Sequence, residues 1–506
     1  MEEVSRWSVF EVELTGEVEH SGLPDGAGAT LELVSPSGAD HRVEAFWDGG
    51  RSWRARFAPG EAGSWTWRSS SDSDQALSGA SGQFRCVEAS ENQPLNRGPL
   101  RVSDDRRHLV HADGTPFFWL ADTAWSGALR AGEDDWAEYL SLRREQGFNV
   151  IQLVTTQWRG WPGAGVYDDT DGLNVNLEAF RRLDRMLAAV NTHGLVAAPV
   201  MLWTLTETDP GQTLSEEHAI ALCRYMVARW GAYNVAWFLG GDGRFPEESI
   251  ERWRRIGRAV FGADHERPVT VHPCGLRWVE EEFAAEPWFD FIGYQSGHGL
   301  PEKTSRWIAQ GPPAKAWRTL EMPIINLEPN YEGHPAYGSE HVLNAHDVRR
   351  AAWLSLLSTP PAGVTYGTNP IWVWHEETGA APGHGNLKSV PPWRDGLRSE
   401  GIRGMSALRT IIDQLEWWRL RPAPELLVTQ TGRNDPRDTI VVAMTEERDL
   451  LVAYTPGGKE IVLTGEDLPA QATWLDPRDG GSHPTEGVSG RFTAPDERDW
   501  LLLLRR

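Results

Sequence analysis

NVAWFLGGD, Asn234 to Asp242, is the stretch on which the rest of the chain is read. Its apolar run, Val235 to Leu239, has no polar alternation, as expected of a strand covered on both faces in a parallel sheet. The run breaks on Gly240 and Gly241 and then presents a carboxylate, Asp242. A buried parallel strand ending in two glycines and an acid places that acid at its carboxyl end, where parallel α/β barrels keep their chemistry. MPIINLEPNYEG, Met322 to Gly333, has the same form: apolar through Ile324, Ile325 and Leu327, then Glu328, with Tyr331 and Glu332 close behind. Two carboxylates, each closing its own buried strand, suggest an acid/base pair.

Working outward, the pattern of NVAWFLGGD repeats. Strands are predicted in HADGTPFFWLADTAW, NVIQLVTTQW, LVAAPVMLW, RPVTVHPCG, DFIGYQSGHG and AGVTYGTNPIW, separated by amphipathic segments such as LEAFRRLDRMLAAVNTHG and PEESIERWRRIGRAVF. With the two strands above, eight strands alternate with helices over about residues 91–420, which predicts an α/β fold of the (β/α)8 TIM-barrel type. A doubly wound open sheet is the competitor, and the lack of a Gly-rich phosphate turn after the first strand counts against its nucleotide-binding form. Residues 1–90 alternate with period 2 between Gly, Pro, Asp and Ser turns and predict an N-terminal β-sandwich, with Trp47, Trp53, Trp65 and Trp67 filling its core. Residues 421–506 return to short strands and predict a C-terminal β-sandwich whose last strand, DWLLLL, is apolar enough to require pairing and cover.

The 506-residue length fits two or three domains. A formal net charge of −23 argues against nucleic acid or an anionic membrane surface as a partner. The 26 tryptophans exceed ordinary usage and lean towards carbohydrate, whose apolar C–H faces stack on indoles, although core packing accounts for most of them. Cys86, Cys223 and Cys274 are odd in number and widely spaced, which gives no disulfide framework and fits a reducing compartment. The start MEEVSRWSVFEVEL has neither a basic head nor a long apolar run, so a cytoplasmic protein is the expectation. Neither oligomeric state nor any cofactor is indicated.

The strand ends, in order, deliver Asp122; Trp158; Trp203; Asp242; His272; Gln295 and His298; Glu328, Tyr331 and Glu332; and Trp372 in the loop after the eighth strand. Glycosidic cleavage needs a carboxylic acid to protonate the leaving oxygen and a carboxylate to attack the anomeric carbon or activate water. Strands four and seven face each other across a small barrel, so Asp242 and Glu328 are the catalytic candidates. Asp242 could instead cap the helix beginning near Pro246, and Glu328 could be a solvated loop acid. Asp122 is a third candidate, for binding hydroxyls or tuning a pKa. Trp158, Trp203 and Trp372 are candidates for stacking on sugar or for packing the rim. His272 and His298 lack a metal-ligand spacing and are expected to hydrogen-bond substrate or a carboxylate. Gln295, Tyr331 and Glu332 complete the expected substrate-binding set.

The motifs DGTPFFWLADTAW, QGFNVIQ, ARWGAYNVAWFLGGD, TVHPCG, DFIGYQSGH, NLEPNYEG and VTYGTNPIW resemble those of the apiosidase-like glycoside hydrolases. The flank with FWDGG and RFAPGEAGSWTW resembles the β-sandwich that precedes that barrel, and VAYTP, ATWLDPRDGG and DWLLLL are similar to a C-terminal β-domain labelled collagen-binding. The resemblance implies Asp242 as acid/base and Glu328 as nucleophile of a retaining enzyme acting on a plant-type or microbial glycan. Loops from Trp158 to Leu173 and from His375 to Pro392 suggest exo action by walling off one end of a cleft. Two other readings stay open: a non-catalytic carbohydrate-binding or scaffold protein, and a metal-dependent barrel hydrolase using His272 and His298.

Overall fold

The computed structural model describes residues 2–24, 28–158, 165–464, 468–485 and 490–506. At its centre, eight parallel strands form one sheet: β1 (Trp119–Thr123), β2 (Val150–Val154), β3 (Val196–Trp203), β4 (Trp237–Gly243), β5 (Val269–Pro273), β6 (Ile292–Tyr294), β7 (Ile324–Asn326) and β8 (Gly363–Tyr366). Their order is β5-β4-β3-β2-β1-β8-β7-β6, with β1 paired to β8. The two remaining edges meet through Thr270, whose hydroxyl donates to Phe291 O at 2.7 Å and accepts from Gly293 N at 3.2 Å, and through a backbone bond from Asp290 to Val269. The barrel predicted from sequence is therefore closed, by a side chain as well as by backbone.

Every residue of β1, β2, β3 and β8 is buried, which explains the unbroken apolar runs. The helices that cover them are α1 (Glu133–Glu145), α2 (Leu177–Thr192), α3 (Glu216–Trp230), α4 (Glu247–Val260), α5 (Pro301–Gln310), α6 (Ala345–Ser358) and α7 (Glu400–Ile412). Three of the seven begin on side-chain caps: Asn176 and Ser215 cap α2 and α3, and Asn344 with Asp347 forms a capping box at α6. The segment read as the approach to β1 also holds a small antiparallel sheet, Leu100–Val102, Leu109–His111 and Pro116–Phe117. Arg106 and Arg107 in its turn donate to the carbonyls of Trp317, Leu320 and Glu321, just ahead of β7. That sheet therefore sits at the amino-terminal end of the barrel, away from the chemistry.

The N-terminal region is a sandwich of a five-stranded sheet on a three-stranded one. Trp47, Trp53 and Trp65 fill its core, and Trp67 packs partly buried against it. Its contact with the barrel includes a buried ionic cluster: Arg56 meets Asp184 at 3.0 Å, and Arg229 meets Asp184 at 2.8 Å and Asp48 at 3.0 Å, with Phe46 beneath both guanidiniums. At the other end, the last strand, Trp500–Arg505, lies between Leu450–Thr455 and Gln471–Leu475. Leu501 and Leu503 turn to the barrel-side core, whereas Trp500, Leu502 and Leu504 fill the sandwich's own core. A strand buried on both faces needs no polar alternation, which accounts for its sequence.

Candidate active site

A cavity of about 730 Å³ opens at the carboxyl ends of the strands, and both Asp242 and Glu328 line it. The local sequence shapes each arm. A Cβ on Gly241 would lie 2.3 Å from Val200 Cγ1, and one on Gly243 would lie 2.4 Å from the Phe245 ring, so only glycine fits on either side of the acid. The pairing of β4 with β5 slips at Gly241 and again at Gly243, and Asp242 takes φ 51 between them. A bulge at a strand end re-aims a side chain, and this one carries the carboxylate with it. Glu328 stands two residues beyond β7. Gln152, from inside the barrel, donates to Leu327 O at 3.0 Å and accepts from Thr365 at 2.9 Å, while Gly297 N bonds Glu328 O at 3.0 Å. The backbone presenting this acid is therefore held from two sides.

Two imidazoles meet the Glu328 carboxylate. His298 Nε2 lies 2.9 Å from Oε1 and His272 Nε2 lies 3.3 Å from Oε2. On the far side of each ring, Nδ1 receives a backbone N–H: from Tyr331 for His298 and from Asp242 for His272, both at 3.3 Å. A nitrogen that accepts from an amide carries no proton, so each ring carries its proton on Nε2: His298 hydrogen-bonds Oε1, whereas His272 Nε2 lies against Oε2 without hydrogen-bond geometry. Burial pushes the Glu328 carboxyl up, but His272 and His298 beside it outweigh that and hold the group well below the usual carboxylate range. The same arrangement leaves neither ring a free lone pair for a metal. Among the described residues no group of three or more His, Cys, Asp or Glu is arranged to hold an ion.

Of the other expected residues, Trp158, Trp203, Gln295, His298, Tyr331 and Trp372 line the cavity. Trp158 packs at steep angles against Trp203 (5.2 Å) and Trp372 (5.9 Å), which forms an aromatic corner. Trp125, delivered with Asp122 at the end of the first strand, donates to Tyr331 OH at 3.2 Å and also lines the cavity. Burial first, and then the Glu328 charge, keep the Tyr331 phenol far above its usual range and so protonated.

Three expected substrate contacts do not reach the cavity. Asp122 is wholly buried, with Oδ2 2.5 Å from Arg143 Nε and 2.8 Å from Tyr139 OH, so it ties β1 to α1. Glu332 accepts from Tyr366 OH and from Gly401 N in the first turn of α7, where the positive end of a helix favours a carboxylate. His272 is likewise fully buried and does not line the cavity. Conversely, His334, Tyr337, His384, Arg244, Arg277 and Lys303 line the cavity and were not anticipated. All but Lys303, which lies in the first turn of α5, sit in loops without periodicity. The one available signal was the polar and aromatic run Asn330 to Tyr337 behind Glu328. The loop from Trp158 to Leu173 lies partly outside the described residues; that from His375 to Pro392 is closed on itself by a Gly379–Val390 bridge and places His384 4.9 Å from the Trp372 ring.

Family models match along nearly the whole chain. The "Apiosidase-like, catalytic domain" model matches residues 103–419, a domain of unknown function (DUF5060) matches 3–72, and the "Putative collagen-binding domain of a collagenase" matches 422–505. No curated protein matches the sequence. Among solved structures, a glycoside hydrolase family 5 protein from Bacteroides vulgatus ATCC 8482 is 23% identical over 82% of this chain and 95% of its own, with a TM-score of 0.69. Another, described as a glycoside hydrolase, is also 23% identical, over 82% of this chain and 98% of its own, with a TM-score of 0.68. At that identity the likeness is one of fold. No described helix is long and apolar enough to cross a membrane.

Proposed function

The chain belongs to the apiosidase-like glycoside hydrolases and is a glycosidase with a carbohydrate substrate; from that premise we propose that it cleaves its bond with retention, Glu328 being the nucleophile and Asp242 the acid/base. The observation that carries this reading is the double imidazole clamp on Glu328. A nucleophile must be ionised before the sugar arrives, and a buried carboxylate hydrogen-bonded by His298 at one oxygen and approached by His272 at the other is held well below the usual carboxylate range. Asp242 is half-buried on the opposing strand and lines the same cavity. There it protonates the leaving oxygen and afterwards draws a proton from the water that releases the glycosyl-enzyme.

The aromatic corner of Trp158, Trp203 and Trp372 gives the sugar a flat apolar wall, and the loop bearing His384 closes one side of the cavity. That closure favours removal of a terminal sugar from a plant-type or microbial glycan or glycoside. A panel of 4-nitrophenyl glycosides and plant oligosaccharides, including apiosides and arabinofuranosides, tests the reading. Wild type is expected to release one sugar. Glu328→Gln and Asp242→Asn are expected to lose that release, the latter by about 10²–10⁴-fold. Full activity in either variant overturns the assignment.

A further inference from the structure

We propose that His334 is the hydrogen-bond acceptor for one hydroxyl of the sugar seated on Glu328, and that this single contact selects which sugars the cavity takes. The proposal rests on the reading of Glu328 given above. His334 lies six residues beyond Glu328, in the loop that follows β7. Its Nδ1 is 2.7 Å from Pro335 O. A carbonyl only accepts, so Nδ1 carries the proton and Nε2 carries a lone pair. That Nε2 is buried without any hydrogen-bond partner in the protein, although the ring lines the cavity and the residue is 1% exposed.

The rings around it define what it can meet. His298, which touches Glu328, lies 4.6 Å from His334 between centroids, Tyr337 lies edge-on at 5.2 Å, and His384 at 6.4 Å. Burial, with His298 alongside, pushes the His334 pKa down to about 3, so the ring stays a neutral acceptor at pH values well above that. A buried acceptor left unpaired is costly, and a sugar hydroxyl donating to it removes that cost. Both oxygens of Glu328 are already approached by imidazoles. The acceptor one ring further along is thus the place where a hydroxyl beside the reacting carbon delivers its proton. A site built around such a bond rejects an analogue lacking the hydroxyl far more strongly than an apolar wall does.

A cycle that alters enzyme and substrate together tests this. The probe is the 4-nitrophenyl glycoside that wild type hydrolyses fastest, with each of its monodeoxy analogues, assayed with wild type, His334→Ala and His334→Gln. Wild type is expected to lose on the order of 10²-fold in kcat/KM on the analogue missing the recognised hydroxyl. His334→Ala is expected to lose a similar factor on the parent glycoside and nothing more on that one analogue, while the other analogues fall as in wild type. His334→Gln, which keeps an acceptor, regains part of the loss and serves for the same cycle if the alanine variant does not fold. Equal factors for every analogue in wild type and variants overturn the proposal. Glu328→Gln, run on the parent, separates the two claims: if it is inactive while the cycle is additive, His334 alone is wrongly assigned; if it is active, the nucleophile reading falls first.

Discussion

Glu328 keeps its charge in a buried position because two imidazoles, each with Nδ1 accepting from a backbone amide, lie against it, His298 hydrogen-bonded to Oε1 and His272 close to Oε2. Removing the His298 ring removes the hydrogen bond to Oε1. In His298→Ala the Glu328 pKa rises towards the carboxylate range. Because activity needs the ionised form, the acid limb of kcat/KM against pH moves to higher pH, whereas in wild type it lies below the ordinary carboxylate range. An unmoved limb would show that His298 does not act through Glu328. At this scale the sequence was half legible. It delivered both acids, because each ends a buried strand, but Asp122 and Glu332 end strands too and are diverted, one to Arg143 and the other to a helix terminus. Which carboxylate points inward depends on partners brought from 21 and 69 residues away, and no local pattern encodes that. His334 was missed for the converse reason: its ring is placed by a loop.

At the scale of elements, the Gly240-Gly241-Asp242-Gly243 end of β4 is a strand end bent by packing. Val200 and Trp203 from β3 and Phe245 from the following loop come so close that a methyl group has no room. Gly241→Ala is therefore expected to lower stability by about 1–3 kcal/mol through overpacking and to cut kcat as Asp242 shifts. Thermal melting and kinetics check both, and a variant with wild-type values in each would contradict the account of the bulge. The strands themselves were legible as uninterrupted apolar runs, and the helices as periodic segments with caps. The small sheet before β1 was not, since strands of two and three residues carry too little periodicity to register.

Across the whole molecule, the two sandwiches are held to the barrel by different means. The N-terminal one meets it over the buried cluster of Arg56, Asp48, Asp184 and Arg229, the C-terminal one through Leu501 and Leu503 and the paired bonds from Arg349 to Asp499, both 2.9 Å. Asp499→Ala leaves Arg349 buried and unpaired and is expected to cost about 3–5 kcal/mol, read as an earlier transition in chemical denaturation. Burial raises the Asp499 carboxyl, but Arg349 outweighs it and holds it below its usual range. Its contribution is therefore present above the ordinary carboxylate pKa and fades as pH falls below it. Wild type should lose stability in that window more steeply than Asp499→Ala; parallel curves would contradict the pairing. The three-part order was legible from where strand periodicity gives way to buried runs and returns, but the contacts joining the parts were not, because Arg349 and Asp499 lie far apart in sequence. The measurement that bears most directly on the account is a trapping experiment: the folded enzyme is mixed with a 2-deoxy-2-fluoro glycoside of the sugar it releases, and the labelled peptide is sequenced by mass spectrometry. The account predicts a covalent glycosyl adduct on Glu328. An adduct on another carboxylate, or turnover to the inverted anomer without any adduct, would contradict it.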